Sequence, residues 1–477
     1  MHLLDHKKKN GSIGIIHFVG IGGIGMSGIA TIMSGMGYEV QGSDISSNSN
    51  IQRLKNLGIK IFTTHEAKNI DNVKYVVISS AISQNNPEVQ EAIKKGLPVI
   101  PRSQMLAELM RFKTCIAVSG SHGKTTTTSM MAHIFEEYGV NPTVINGGII
   151  NCKDTNAYLG SSDYLITEAD ESDATFIRIP ATIAIITNIA IEHMDFYGSF
   201  EKLVESFNTF IYNLPFYGFA VCCIDQPIVQ HMIEAITTKQ IITYGIENPN
   251  ANVRAFNIEL DSFSSVFDVQ ISSPNLGSII IKKIHLAVPG RHNILNALAA
   301  IAVAVELDFG IKVIQKAFSS FKGVKRRFTK VGQYKQINII DDYAHHPAEI
   351  RATIATAKNA VNIDGGKLIV VCQPHRYSRF ISLFAEFKNC FDLADVLYIA
   401  PIYSAGEENP TSVNHKQLVD NITHDKVYAL DALEDFTTIA ASLEDKCIVL
   451  MLGAGDITYY ANALEQKLHD YAARSKQ

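Results

Sequence analysis

Short apolar, β-branched runs alternate along this chain with longer stretches of helical spacing, a rhythm that predicts βαβ units around parallel sheets. The first run is Ile13-Gly14-Ile15-Ile16-His17-Phe18-Val19, followed by Val40, Tyr75-Val76-Val77-Ile78 and Val99-Ile100. A second series starts at Cys115-Ile116-Ala117-Val118 and includes Tyr164-Leu165-Ile166-Thr167 and Ile183-Ala184-Ile185-Ile186-Thr187. From about Asn252 the character changes. Val253 to Ile258, Ser265 to Ile271 and Ser278 to Ile284 read as antiparallel strands with polar turns between them. An alanine-rich helix is predicted from Asn293 to Leu307, and the βαβ rhythm then resumes at Ile337–Ile340, Leu368–Cys372, Val396–Ala400 and Ile448–Leu452. Breaks near residues 112 and 325 predict three α/β domains, 1–112, 113–325 and 326–477. No solenoid repeat or low-complexity segment interrupts them.

Composition narrows the class. At 477 residues the chain is too long for one core, and 47% hydrophobic with 19% charged residues describes an ordinary soluble protein. A net charge of −5 supplies no basic field, which argues against nucleic acid as a partner. Seven scattered cysteines without a C-x-x-C pair suit a reducing compartment. The longest apolar stretch, Ala297 to Val305, falls far short of the ~20 residues of a membrane helix. With no signal peptide visible, a cytoplasmic protein without membrane insertion is expected.

The chemistry is concentrated at predicted strand ends. Ala117-Val118-Ser119-Gly120-Ser121-His122-Gly123-Lys124-Thr125-Thr126-Thr127 reads as a strand, a glycine-punctuated turn and a helix start, an arrangement suited to nucleotide phosphates. Turn N–H groups face the anion, Lys124 neutralises it and Thr125 can ligand Mg²⁺. The spacing G-x-x-G-K-T is two residues shorter than the usual phosphate loop, and ATP or GTP is the expected ligand. Gly20-Ile21-Gly22-Gly23-Ile24-Gly25-Met26 follows the first strand and satisfies G-x-G-x-x-G, with Asp44 at the distance expected for a ribose contact. That loop serves a dinucleotide, another diphosphate such as a nucleotide sugar, or close helix–strand packing.

Thr167-Glu168-Ala169-Asp170-Glu171-Ser172-Asp173 sets four acids past a buried strand, where Mg²⁺ is commonly held. Glu192-His193 ends another strand in the same manner and suggests a metal or phosphate role for His193. Asn293 and Asn296 share a helix face; amides suit an adenine edge, and helix capping by Asn293 is the structural alternative. Asp341-Asp342-Tyr343-Ala344-His345-His346-Pro347 and Gln373-Pro374-His375-Arg376-Tyr377-Ser378-Arg379 both follow buried strands and form a candidate anion-binding face. The adjacent histidines point in different directions, which disfavours zinc. Lys325-Arg326-Arg327 reads either as a solvated linker or as a cationic junction.

Together these motifs resemble the Mur ligase family, the ATP-dependent amino-acid ligases of peptidoglycan synthesis, over essentially the whole chain. The most specific pieces are Ser119–Thr126, Glu168–Asp173, Asp342–Pro347 and Gln373–Arg379. The resemblance implies a Rossmann-like N-terminal domain for a UDP-sugar, a central P-loop ATPase-like domain with an added antiparallel sheet, and a C-terminal Rossmann-like domain closing on ATP and the amino acid. It implies UDP-N-acetylmuramate and L-alanine as substrates, ATP and one or two Mg²⁺ as cofactors, and an acyl phosphate intermediate. Gly120, Ser121, His122, Gly123, Lys124, Thr125, Thr126, Asn293, Asn296, Arg327 and Asp342 would then serve ATP. Gly22, Gly23, Ile24, Gly25, Met26, Asp44, Ser80 and Arg102 would serve the nucleotide sugar, and Thr125, Glu168 and His193 the metal. Lys124, Glu168, His193, His345, Arg376 and Arg379 are the expected catalytic set, and His345, Glu171 or solvent would take the proton of the alanine ammonium.

Two features depart from the family pattern or separate its members. Ala190 and Glu192 replace acids in a family form like I-E-x-D-H, which unsettles the metal shell around His193. Ser206-Phe207-Asn208-Thr209 offers no lysine for the carbamate of later-acting ligases. Other readings are a recycling ligase that adds a preformed tripeptide, an NAD-dependent oxidoreductase and a nucleotide-gated switch. A monomer or homodimer is expected, open before its substrates bind.

Overall fold

The computed structural model describes residues 14–474 apart from 47, 80, 112, 151–154, 274–276, 411 and 444–445. Three sheets carry the fold. The first contains β1 (Ile15–Val19), β2 (Val40–Ser43), β3 (Lys60–Phe62), β4 (Val73–Ile78) and β5 (Val99–Pro101) in the order β3-β2-β1-β4-β5. All of its pairs are parallel, and its order reverses at β1, whose C-terminal end leads into the glycine loop. In open α/β sheets ligands bind at such a switch point.

The second sheet contains β6 (Thr114–Ser119), β7 (Thr143–Ile150), β8 (Thr155–Tyr158), β9 (Tyr164–Glu168), β10 (Ile183–Ile186), β11 (Phe219–Cys223) and β12 (Gln240–Gly245). Their order is β12-β11-β10-β6-β9-β7-β8 and continues beyond β12 to β13 (Val253–Leu260), β14 (Ser265–Ser273) and β15 (Gly277–Leu286). Strand β6 lies between β10 and β9, so the phosphate-loop segment, the acid run after β9 and the His193 segment after β10 leave one edge together. The third sheet contains β16 (Thr329–Tyr334), β17 (Ile337–Asp342), β18 (Lys367–Cys372), β19 (Val396–Ile399), β20 (Val427–Ala429) and β21 (Cys447–Leu452), in the order β16-β17-β21-β18-β19-β20.

The chain divides into two compact units. One holds the chain up to Arg254 with Gln270–Ile279 and Leu295–Ala317; the other holds Ala255–Val269, Ile280–Ile294 and the chain from Phe318 onward. In the second unit β21 shows why buried parallel strands read as unbroken apolar runs. Ile448, Leu450 and Leu452 face one core, and Cys447, Val449 and Met451 the other. The helix Arg291–Glu306 starts two residues before the expected Asn293. That puts Asn293 inside the first turn, where its Nδ2 donates to the Pro289 carbonyl at 2.7 Å, so it is not the capping residue. Cys115, Cys222, Cys223, Cys372, Cys390 and Cys447 are buried, as small core residues would be. Among the described residues no helix is long and apolar enough to cross a membrane.

Candidate active site

The turn between β6 and the helix Lys124–Glu137 is shaped by two glycines. Gly120 has φ +128° and Gly123 φ +85°. A Cβ on Gly120 would lie 2.1 Å from Thr187 Oγ1, and one on Gly123 2.5 Å from Asn296 Oδ1, so neither position accepts a side chain without displacement. The turn is clamped from the end of β10. Asn188 Oδ1 accepts from the His122 N–H at 2.9 Å, its carbonyl from the Ser121 N–H at 3.0 Å, and its Nδ2 donates to the His122 carbonyl at 3.0 Å. Thr187 Oγ1 donates to the same carbonyl at 2.6 Å, and the Ala190 N–H donates to Ser121 Oγ at 2.9 Å. Thr125 and Thr126 are buried on the first helical turn, and Thr127 Oγ1 donates to Asn296 Oδ1 at 3.2 Å. Asn296 thus packs behind the phosphate loop.

Lys124 is turned toward the acids. Its Nζ donates to the Gly120 carbonyl at 2.5 Å and lies 3.0 and 2.9 Å from the two oxygens of the buried Glu171. Burial pulls the ammonium down, but the charges of Glu171, Asp170 and Glu168 outweigh it and leave its pKa above the ordinary value. Burial pushes the Glu171 carboxyl up to about 7 against the pull of Lys124. Tyr197 OH donates to the Glu171 carbonyl, which fixes the acid run against the short helix Met194–Tyr197.

His193, in a left-handed conformation at φ 57°, opens that helix. Its Nε2 lies 3.9 Å from Glu171 Oε1, and Glu171, Glu192 and His193 offer donor atoms all within 4.8 Å of one another. Two carboxylates with one imidazole fit a divalent cation. The structure therefore groups His193 with Glu171 and Glu192, and Glu192, a departure from the family form, supplies a donor. Glu168 stands outside that group among the described residues: its Oε1 accepts the Gly147 N–H of β7 at 2.8 Å.

The glycine loop is built as the spacing predicts. The Gly20 and Ile21 N–H groups donate to the Ser43 carbonyl at 2.8 and 3.0 Å, and Asp44 Oδ2 accepts the Gly22 N–H at 2.8 Å. Gly23 caps the helix Ile24–Gly35, with Gly25 and Met26 in its first turn. A Cβ on Gly25 would lie 2.7 Å from Arg102 Nη1, so the guanidinium sits directly on the start of that helix. Its other end reaches Asp170 Oδ2 at 4.0 Å. Arg102 thus bridges the glycine loop and the acid cluster. Asn156 on β8 donates to the Ile24 carbonyl at 2.8 Å and accepts from Arg53 Nη2 at 2.6 Å, a contact no sequence pattern announced. Ser80 lies outside the described residues.

In the second unit, His345, His375, Arg376, Arg379 and Arg327 form one charged network. The His345 and His375 rings are 5.8 Å apart, and His375 stacks on Tyr403 at 5.6 Å. Arg379 Nη1 lies 3.2 Å from His375 Nδ1. Glu349, three residues past His346 in a capping box, lies 3.4 Å from His345 Nδ1 and 3.9 Å from Arg327 Nη1. Glu407 lies 3.9 Å from Arg376 Nε. Burial lowers His345 and His375 to about 4 each, so both rings are neutral at pH 7. Asp342 is engaged inside its own loop. Its oxygens accept the Phe328 and Ala344 N–H groups at 2.7 and 2.8 Å, and burial raises it to about 6. Arg326 is equally structural, donating to the Gly453 carbonyl at 2.6 Å and lying over the Tyr343 ring at 4.7 Å, which excludes a solvated linker for this residue. Sequence reasoning missed Glu349, Tyr403 and Glu407; only the capping-box spacing signals the first.

A phosphate loop on a parallel sheet, with an acid cluster and a histidine on the neighbouring strand ends, defines a nucleotide-dependent α/β enzyme class. The chain belongs to the Mur ligase family. Residues 15–114 match the family's "Mur ligase family, catalytic domain", residues 118–304 its "Mur ligase middle domain" and residues 326–455 its "Mur ligase, glutamate ligase domain". The UDP-N-acetylmuramate–L-alanine ligase of Rickettsia typhi is 59% identical over 477 residues, covering 98% of this chain and 95% of that protein. The crystal structure of UDP-N-acetylmuramate-alanine ligase from Thermotoga maritima superposes with a TM-score of 0.80 at 29% identity, covering 96% of this chain and all of that one (100%). A murein peptide ligase from Psychrobacter arcticus shares the fold at a TM-score of 0.68 and 22% identity, covering 95% of this chain and 98% of its own.

Proposed function

We propose that this protein joins L-alanine to the lactyl carboxylate of UDP-N-acetylmuramate at the expense of ATP, in peptidoglycan precursor synthesis. The observation that carries the reading is the 59% identity, over nearly the full length of both chains, to a ligase of that name. The phosphate loop and its acids support it. A carboxylate oxygen attacks the γ-phosphorus, the bond to ADP breaks, and an acyl phosphate results. The alanine ammonium loses one proton to a base, its neutral nitrogen attacks the acyl carbon, and the tetrahedral intermediate collapses to the amide as phosphate leaves, carrying the second nitrogen proton.

Two anions must meet in the first step, so positive charge governs the barrier. In this reading Lys124 exchanges Glu171 for the β- and γ-phosphates, and the N–H groups of Ser121–Lys124 cradle them. Magnesium, held by Glu171, Glu192 and His193 and by resemblance also by Thr125 and Glu168, would supply further charge neutralisation. Stretch 1–112 serves the nucleotide sugar, with Arg102 well placed at the glycine loop for an anionic group. Stretch 113–325 serves ATP, and 326–477 serves ATP through Arg327 and Asp342 and the lactyl carboxylate or the incoming alanine through Arg376, Arg379 and His345. By resemblance the ammonium proton goes to His345, Glu171 or solvent; burial lowers His345 to about 4 and raises Glu171 to about 7, so of the two side chains Glu171 is the stronger base when it holds no metal. The reading places the protein in the cytoplasm, with its substrates.

Phosphate release with ATP, Mg²⁺ and UDP-N-acetylmuramate, with and without L-alanine, tests the proposal when paired with mass detection. Alanine-dependent release with a UDP-N-acetylmuramoyl-alanine mass is expected. Turnover with the murein tripeptide and none with alanine would transfer the reading to the recycling ligase.

A further inference from the structure

One cluster of titratable side chains lies apart from the groups described so far. Strand β1 carries a histidine in an otherwise apolar run, and His17 is completely buried. It faces Glu88, equally buried, the second residue of the helix Pro87–Lys94, where helix N–H groups and dipole favour an anion. Ser43 Oγ donates to Glu88 Oε2 at 2.6 Å and Asn69 Nδ2 to Oε1 at 2.7 Å. His65 Nδ1 lies 3.0 Å from Oε2, and His17 Nε2 a longer 3.4 Å from Oε1. Gln41 Nε2 donates to the Asn69 carbonyl at 2.8 Å and lies 3.2 Å from His17 Nδ1. An amide nitrogen only donates, so His17 Nδ1 accepts and its proton sits on Nε2, toward Glu88.

The cluster fastens the end of β2. The Ser43 carbonyl receives the Gly20 and Ile21 N–H groups, and Asp44 receives that of Gly22. Two adjacent residues therefore set three consecutive N–H groups of the glycine loop, and the first of the two is tied by its hydroxyl to Glu88. Burial works against the Glu88 carboxylate, but His17, Ser43 and Asn69 bring it down to about 2, so the tie stays ionised at any working pH.

We propose that Glu88 is a positioning residue for the nucleotide-sugar diphosphate: it fixes Ser43, and through the Ser43–Asp44 backbone the glycine loop, without touching the ligand. The inference rests on reading that loop as the nucleotide-sugar site.

Glu88→Gln keeps the side chain's size and removes its charge; Ser43→Ala removes only the hydroxyl. Each is expected to raise KM for UDP-N-acetylmuramate about 10-fold, with KM for ATP and kcat held within about two-fold, and the double variant should be no worse than either single one. An unchanged KM for the nucleotide sugar in either variant, a parallel rise in both KM values, or additive effects in the double variant would overturn the proposal. Should Glu88→Gln not fold, Ser43→Ala carries the test alone. Calorimetry of wild-type protein with UDP-N-acetylmuramate separates the two claims. No binding by the wild type removes the reading of the loop, whereas wild-type binding with undiminished affinity in Glu88→Gln removes only the anchor.

Discussion

Gly123→Ala is the sharpest test of the phosphate loop, because its cost divides into two parts that a second variant separates. Gly123 has φ +85°, where an L-residue costs about 1–2 kcal/mol, partly offset by the stiffer unfolded chain. Its added Cβ would lie 2.5 Å from Asn296 Oδ1, which is buried and holds Thr127 Oγ1. Asn296 must give by nearly 1 Å, losing a hydrogen bond of about 1 kcal/mol and adding packing strain of about 1 kcal/mol. Gly139, at the other end of the same helix, has φ +89° but no neighbour within 4 Å of an added Cβ. Gly139→Ala should thus cost about 1 kcal/mol and Gly123→Ala about 3 kcal/mol. Hydrogen exchange of the Thr127 amide, which donates to the Gly123 carbonyl at 2.9 Å, reads the difference locally. A gap of about 2 kcal/mol makes exchange roughly 30-fold faster in Gly123→Ala. ATP affinity by calorimetry should fall at least about 10-fold in that variant alone. Equal exchange and equal affinity in the two variants would refute the argument that Asn296 holds the loop.

Lys124→Met should lower ATP-dependent turnover by about 10³-fold or more in the phosphate-release assay. Glu171 is raised to about 7 by burial, so the stability it lends below about pH 4.5 is lost as pH rises through 7, by about 3 kcal/mol; Glu171→Gln should flatten that part of the pH–stability curve. Glu88 has the opposite sign: held at about 2, it contributes about 3 kcal/mol above pH 4.5 that disappears as pH falls toward 2, and acid unfolding of Glu88→Gln should lack this component. Glu192→Gln and His193→Ala should each raise the Mg²⁺ concentration for half-maximal activity about 10-fold or more, measured at saturating substrates. Arg379→Lys loses the planar fork beside His375 and should raise KM for L-alanine about 10-fold while leaving ATP binding intact.

The candidate site was legible wherever its chemistry is contiguous in sequence. A strand, two glycines, Lys124 and a threonine run appear in order because a phosphate loop is a local structure, and the same holds for the glycine loop after β1. Partners contributed from elsewhere were not legible. Glu171 is 47 residues from Lys124, and it pairs with the lysine only because β9 lies beside β6. Arg102 was expected at the nucleotide sugar; that it also reaches Asp170 follows from the packing of the helix Arg102–Met110. Asp342, expected by resemblance to reach ATP, also accepts the N–H groups of Phe328 and Ala344, a pairing set by the fold of its own loop.

Local patterns alone therefore determined the parallel α/β class and the positions of both glycine turns, since hydrophobic period and turn chemistry act over a few residues. Tertiary structure decided which charges meet. It paired Lys124 with Glu171, gathered Glu171, Glu192 and His193 into one group, and closed Glu88 among His17, Ser43, His65 and Asn69. Such pairings depend on strand order and register, and no short window of sequence encodes them. Their energies also depend on burial, which exists only once the sheets have formed.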